Sequence, residues 1–317
     1  MSRMFQFLAG AALGVAGLSA ATDARAEFIN VLTGGTSGVY YPLGVALSEL
    51  YAEGIPGART QVQATKASVE NLNLLAAGRG EVAFSIGDSV VAAWEGNTEA
   101  GFKRELKNLR AIGGFYDNYI QIIAEGSSGI KTLADLKGRS ISVGAPASGT
   151  ELNAREIFAA AGMSYDDVGR LEYLPYSESA ELIKNRQLES TLQSSGLGAA
   201  FIKDLATTHG INIVEIPAEV VEKIGPPFKS VVIPAGTYEG QDTDVMTAAV
   251  TNILVTSEAV PEETVYLMTK LMFENKSKLV SAHNAASALD PANAVANLPI
   301  PLHPGAERYY REIGVLK

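Results

Sequence analysis

The chain of 317 residues is 47% apolar and 19% charged, which excludes a disordered chain and, at roughly 150 residues per domain, fits about two packed domains. It has no cysteine and only three histidines, His209, His283 and His303, no two at a metal-ligand spacing; disulfides, thiolate metal sites, histidine-built zinc sites and a cysteine nucleophile are excluded. Acids outnumber bases 35 to 25, and the net charge of −10 argues against nucleic acid as a partner.

Arg3, the apolar stretch from Phe5 to Ala21 and the small-x-small site Ala24-Arg25-Ala26 read as an export signal over residues 1–26. The alternative is a membrane anchor, but the stretch is rich in Ala and Gly, and a spanning helix needs about 20 strongly apolar residues. Nothing later resembles a spanning segment. The mature protein is therefore expected in the periplasm, where a chain without thiols avoids stray pairing.

Phe28 to Leu32 predicts a strand, followed by the glycine-rich turn Thr33-Gly34-Gly35-Thr36-Ser37-Gly38. Tyr40, Leu43, Leu47 and Leu50 then recur at helical spacing until Gly54 and Pro56. Thr60 to Ala64 is extended, Leu72 and Leu75 mark a short helix, and Val82 to Ile86 is a buried strand leading through Gly87-Asp88 into a helix with Trp94. Leu109 to Ile112 and Ile120 to Ala124 read as two separate strands. Thr132-Leu133-Ala134-Asp135 is a capping box opening one helical turn. Ile141 to Val143 is a strand, Gly144 to Gly149 a loop, and Thr150 opens a helix. Ile211 to Ile216 and Val231 to Ile233 are strands. Pro261 starts a helix through Leu267 and Leu271, and a proline-rich tail ends in a helix around Tyr309.

This alternation implies an α/β fold with mostly parallel sheets. Two such units joined by glycine-bearing extended segments imply two lobes around a hinged cleft. The expected division is residues 27–117 with 229–317 in lobe I and 118–228 in lobe II, the helix-rich sequence after residue 229 returning to the first lobe.

Four strand-to-helix junctions carry small hydroxyl or acidic residues: Gly34 to Gly38, Thr65 to Ser68, Gly87-Asp88-Ser89 and Ala147 to Thr150. Unpaired N–H groups and the helix dipole at such starts hold a carboxylate or phosphate without a cationic side chain. Each alone is an ordinary helix cap; four on one α/β scaffold, where ligands meet the carboxyl ends of strands, point to a binding cleft for a small anion. Enzyme signatures are missing: there is no G-x-S-x-G elbow, no Walker A lysine and no G-x-G-x-x-G. A serine nucleophile needs a base. His209 reads as an exposed helix end, His283 as a surface helix residue and His303 as a structural donor in a packed turn.

The residues Thr33-Gly34-Gly35-Thr36-Ser37-Gly38-Val39-Tyr40-Tyr41-Pro42-Leu43-Gly44 resemble the opening motif of the TAXI proteins, the TRAP-associated extracytoplasmic immunogenic solute receptors. Ser68-Val69-Glu70-Asn71, Ile130 to Gly138, Ser148-Gly149-Thr150, Ile233 to Tyr238 and Ile300 to Tyr310 continue the resemblance over nearly all of the mature chain. It implies a type II periplasmic binding protein fold and a receptor that delivers a small organic acid, glutamate-like or a dicarboxylate, to TRAP membrane subunits. By motif position the ligand would meet Thr36, Ser37 and Tyr40 from the first loop, Ser68 and Asp88 from the same lobe, and Ser148, Gly149 and Thr150 from the opposite lobe. The sequence departs from the family pattern at Lys66-Ala67, where a glycine usually precedes the serine, and at Asn118, where an acid is common. Lys66 reads equally as a counter-charge for a carboxylate and as a snorkelling surface lysine. No catalytic residue, metal or cofactor is expected, and a monomer is. The alternatives are an ABC-type receptor on the same fold and a secreted hydrolase using Ser37 or Ser148.

Overall fold

The computed structural model describes residues 27–317; the export-signal reading lies outside them. Strand β1 (Phe28–Leu32) is a near-continuous apolar run, the pattern of a strand covered on both faces. It leads through the glycine turn into helix α1 (Tyr40–Gly54), which is followed by β2 (Arg59–Gln63), α2 (Ser68–Ala76), β3 (Val82–Ile86) and α3 (Gly87–Glu95). Strand β4 (Leu109–Glu125) leaves this unit. Then come β5 (Ser140–Ser142), α4 (Gly149–Ala160), β6 (Arg170–Glu172), α5 (Tyr176–Lys184), β7 (Ser190–Ser195), α6 (Ala200–His209), β8 (Ile211–Val214), α7 (Ala218–Ile224) and β9 (Lys229–Ile233). Strand β10 (Val245–Ser257) returns, and α8 (Glu262–Glu274) begins a run of helices ending with Pro304–Glu312.

The ten strands form one sheet in the order β2-β1-β3-β10-β4-β7-β5-β6, with β8 added on β4 and β9 on β10. Parallel pairs join β1 to β2 and β3, and β5 to β6 and β7. Every pair made by β4 or β10 is antiparallel, so the sheet is mixed where parallel sheets were expected. These two long strands run side by side through the middle. One end of β4 pairs with β10, around Leu109↔Ser257, and bridges to Leu302 at Ala111; the other pairs with β7 and β8.

Two expectations are corrected here. The segments 109–112 and 120–124 are parts of one 17-residue strand. Gly113 does not break it; a Cβ there would lie 2.3 Å from the Tyr310 hydroxyl, which donates to the Ile112 carbonyl at 3.0 Å. The glycine makes room for the C-terminal helix to close on the sheet. Residues 245–257, within the stretch expected to be helix-rich, form β10, which Ile253, Leu254 and Val255 anchor between β3 and β4.

The residues from β9 to the start of β10 sit with the second unit. Phe228, Ala248 and Val250 share a core cluster with Ile120 and Ile122 of β4, Ile157 of α4 and Val220 of α7. The Tyr238 hydroxyl donates to Gln121 Oε1 at 2.5 Å and accepts from the Gly198 N–H at 3.1 Å. Among the described residues no helix is long and apolar enough to cross a membrane.

Candidate functional site

The carboxyl ends of β1, β2 and β5 and the middle of β4 surround a cavity of about 100 Å³. Gly34, Gly35, Gly38, Val39 and Tyr40 line it from the first loop and α1. Thr65, Lys66 and Ala67 come from the approach to α2, and Ala145, Ser148 and Thr150 from the approach to α4. Tyr116 and Asn118 come from β4, Pro175 and Tyr176 from the start of α5, and Ser194 and Ser195 from the end of β7. The starts of four helices, α1, α2, α4 and α5, therefore meet at one small space.

Tyr40 forms part of the wall. Its ring stacks on Phe84 at 5.0 Å, Phe84 meets Phe115 edge-on at 5.5 Å, and its hydroxyl donates to Asn252 Oδ1 on β10. Burial pushes the Tyr40 phenol well above its ordinary pKa, with Tyr176 and Asp88 adding to the shift and a hydrogen bond with Ser68 opposing it, so it stays a neutral donor. Neither α1 nor α2 has a side-chain cap, whereas at α4 the Ser148 hydroxyl accepts from the Glu151 N–H at 3.2 Å. Ser148, rather than Thr150, is the cap of α4. Thr150 instead meets the Tyr176 hydroxyl at 2.6 Å, and Tyr176 donates onward to the Ser194 carbonyl at 2.7 Å.

Ala67 holds φ 71° and ψ −147°, a region of backbone space essentially confined to glycine. Its Cβ lies against the position a Gly34 side chain would take, 3.3 Å away. The strained residue presents the start of α2 to the cavity. The Lys66 side chain, exposed at the mouth, makes no ion pair among the described residues, and no aspartate or glutamate lines the cavity.

Of the eight residues expected to meet a ligand, Tyr40, Ser148 and Thr150 line the cavity. Thr36 and Ser37 do not: the glycines of their loop approach it, and Thr36 faces solvent. Ser68 is buried behind the wall, its hydroxyl accepting from the Ile86 N–H at 3.1 Å. Gly149 packs directly on Ser68, leaving a Cβ only 2.6 Å from its hydroxyl. Asp88 points away from the cavity to Asn153 of α4, whose amide donates to it at 2.6 Å. Tyr116, Asn118, Tyr176, Ser194 and Ser195 were missed by sequence reasoning. The only available signal was the position of Asn118 two residues after Phe115-Tyr116, and β7 itself, Ser-Thr-Leu-Gln-Ser-Ser, carries no apolar alternation.

Two wall groups have no partner among the described residues: the Tyr116 hydroxyl and the Asn118 amide nitrogen, in residues 4% and 1% exposed. An unsatisfied buried polar group costs about 1–3 kcal/mol. Burial, with Tyr40 and Tyr176 adding to it, holds the Tyr116 phenol well above its ordinary pKa, so it too stays protonated. None of the three histidines hydrogen-bonds Ser37 or Ser148. His303 caps the C-terminal helix and contacts the Val260 carbonyl, His283 caps the turn at Asn284–Ala288, and His209 meets Thr208.

Among solved structures, one described as a periplasmic transporter aligns with TM-score 0.56 at 12% identity, over 92% of this chain and 93% of its own. The periplasmic binding protein BugD gives 0.52 at 12%, over 92% and 95%. A putative L-cystine ABC transporter from Listeria monocytogenes gives 0.52 at 13%, over 83% and 97%. These likenesses establish the two-lobed α/β fold of periplasmic binding proteins. Residues 31–314, all but the ends of the described chain, match the sequence pattern of one family, and on that match the protein belongs to the NMT1-like family.

Proposed function

We propose that the protein is a periplasmic solute receptor that encloses a small organic anion between its two lobes and hands it to a membrane transporter. The observation that carries this reading is the cavity itself: four helix starts converge on it, Lys66 stands there without an ion pair among the described residues, and none of the described carboxylates lines it. Helix N-termini favour a negative group by up to about 2 kcal/mol each when partly buried. Thr65, Lys66, Ala67 and Tyr40 act from the first lobe, and Ser148, Thr150 and Tyr176 from the second. A ligand touching both walls stabilises the closed form, because only that form offers both. Thr36, Ser37, Ser68, Gly149 and Asp88 take no direct part.

The lobes are residues 27–117 with the chain from the middle of β10 onward, against the residues between. Our reading puts the second crossing within β10; Phe228 and Ala248, which share a core with Ile120 and Ile122, and Tyr238, which bonds Gln121, support it. On this reading the protein is a carrier; the hydrolase alternative would need a base for Ser37 or Ser148, and among the described residues no histidine bonds either.

Two transporter classes compete. The motifs from Thr33 to Gly44 and from Ile300 to Tyr310 support a TAXI-type receptor of a TRAP system taking glutamate-like or dicarboxylate ligands. The description of the Listeria relative names an ABC transporter, and the ABC reading is the better supported of the two. A neighbouring gene for an ATPase favours the ABC reading; genes for large TRAP membrane subunits favour the other. Thermal-shift and calorimetric titration with a panel of organic acids and alkanesulfonates tests the shared claim. A ligand at 100 times its Kd stabilises by about 2.7 kcal/mol, and silence across the panel refutes the receptor reading.

A further inference from the structure

The cavity wall is nearly saturated with internal hydrogen bonds. The Tyr40 hydroxyl is committed to Asn252, Tyr176 to Ser194, Ser148 to the start of α4, and Thr65 to the Thr33 carbonyl at 2.8 Å. Ser195 Oγ accepts from Gln121 at 3.1 Å. Among the described residues the deep wall keeps two unpartnered side-chain groups, Tyr116 Oη and Asn118 Nδ2, both on β4 and both more than nine-tenths buried.

We propose that Tyr116 and Asn118 are specificity-determining residues that bind an uncharged oxygen, oxo or hydroxyl, on a short-chain carboxylate bearing no ammonium group. This rests on the receptor reading and narrows its ligand. The phenol and the amide are both neutral donors, so they complement an acceptor. An amino acid would bring an ammonium group to a wall that, among the described residues, holds no carboxylate to meet it. An ammonium desolvated without a counter-charge is strongly disfavoured. Asp88 is turned to Asn153, and the Glu70 carboxylate accepts from the Lys66 N–H at 2.6 Å. Size limits the chain length: the space of about 100 Å³ is smaller than the ~150 Å³ cavity that accommodates benzene.

Calorimetry with matched pairs decides the matter: pyruvate against alanine, 2-oxobutyrate against 2-aminobutyrate, and 2-oxoglutarate against glutamate. The oxo member of at least one pair binds more than tenfold tighter than its amino partner. Tyr116→Phe weakens that oxo acid about fivefold while its melting temperature stays level or rises, since the lost hydroxyl had no partner. Asn118→Asp, checked for folding by its melting transition, moves the preference toward the amino member. Equal or tighter binding of the amino acids overturns the inference and leaves the receptor reading standing. Unchanged oxo-acid affinity in Tyr116→Phe also overturns it. If neither series nor any other organic anion binds, the receptor reading falls and this inference with it.

Discussion

The Asn153 amide nitrogen donates to Asp88 Oδ2 at 2.6 Å, and Asn153 Oδ1 accepts from the Ser194 hydroxyl at 2.7 Å. One asparagine on α4 thus ties the start of α3, in the first lobe, to the end of β7, in the second. The Glu70 N–H adds a backbone bond to the Ala147 carbonyl at 3.3 Å beside it. The Asp88–Asn153 and Glu70–Ala147 bonds cross from one unit to the other, while the Asn153–Ser194 bond lies within the second.

Asp88 makes this junction sensitive to pH. Burial raises its carboxyl to about 7; the Ser89 N–H and Asn153 amide oppose the shift and Glu156 adds to it. The unfolded carboxyl titrates near 3.9. Between about pH 4 and 7 the folded chain therefore binds more protons than the unfolded one. Asp88's contribution to stability is full below pH 4, declines as pH rises to about 7, and is level above that. Asp88→Asn removes the decline, so the variant gains on the wild type as pH rises and melts higher at pH 8. A wild-type-minus-variant difference in melting temperature that stays flat from pH 4 to 8 would contradict this.

Gly149 sets how closely the lobes approach. A Cβ there falls 2.6 Å from Ser68 Oγ and 2.8 Å from Ile86 Cδ1, both in the first lobe. Gly149→Ala should hold the lobes apart, lowering ligand affinity more than tenfold. Small-angle scattering of the ligand-saturated variant should keep the larger radius of the open form. Wild-type affinity in this variant would show that the contact yields without effect.

Ala67 stores strain that glycine would release. Its backbone conformation costs on the order of 1–3 kcal/mol, whereas the extra freedom of glycine in the unfolded chain costs about 0.4–1. Relief exceeds the loss, and Ala67→Gly should stabilise the protein by about 1 kcal/mol in urea melts. A lower denaturation midpoint would show that the surroundings, not the backbone, determine the conformation.

Lys66 supplies the cation at the mouth. Exposed charge pairs contribute about 0–1 kcal/mol, so Lys66→Met should weaken an anionic ligand by no more than about fivefold at low salt. The difference from the wild type should shrink as ionic strength rises, because salt screens the exposed lysine. Affinity and salt dependence identical to the wild type would leave Lys66 a surface residue.

Thr150→Ala removes a wall hydroxyl but not a cap. Tyr176 keeps its bond to the Ser194 carbonyl, so stability falls by about 1 kcal/mol or less. Ligand affinity should fall more than stability does. A loss of several kcal/mol in the ligand-free protein would reassign Thr150 to holding α4 in place.

The amino-acid sequence by itself determined the elements whose signal is local. Ile29, Val31 and Leu32 mark β1, the glycines after it mark the loop that reaches the cavity, and Thr132 with Asp135 closes a capping box that the structure contains. It also marked helix starts that the structure brings to the cavity wall. The tertiary structure alone decided the rest. Strand β7 is polar yet wholly buried, because Gln121, Asn153 and Ser142 satisfy its neighbourhood with side-chain hydrogen bonds that hydropathy does not register. Strand β10 became a strand through its pairing with β3 and β4, residues distant in the chain. The same holds for the cavity. Whether Asp88 meets a ligand or Asn153, 65 residues away, depends on packing between two lobes, and no local pattern of residues encodes that choice.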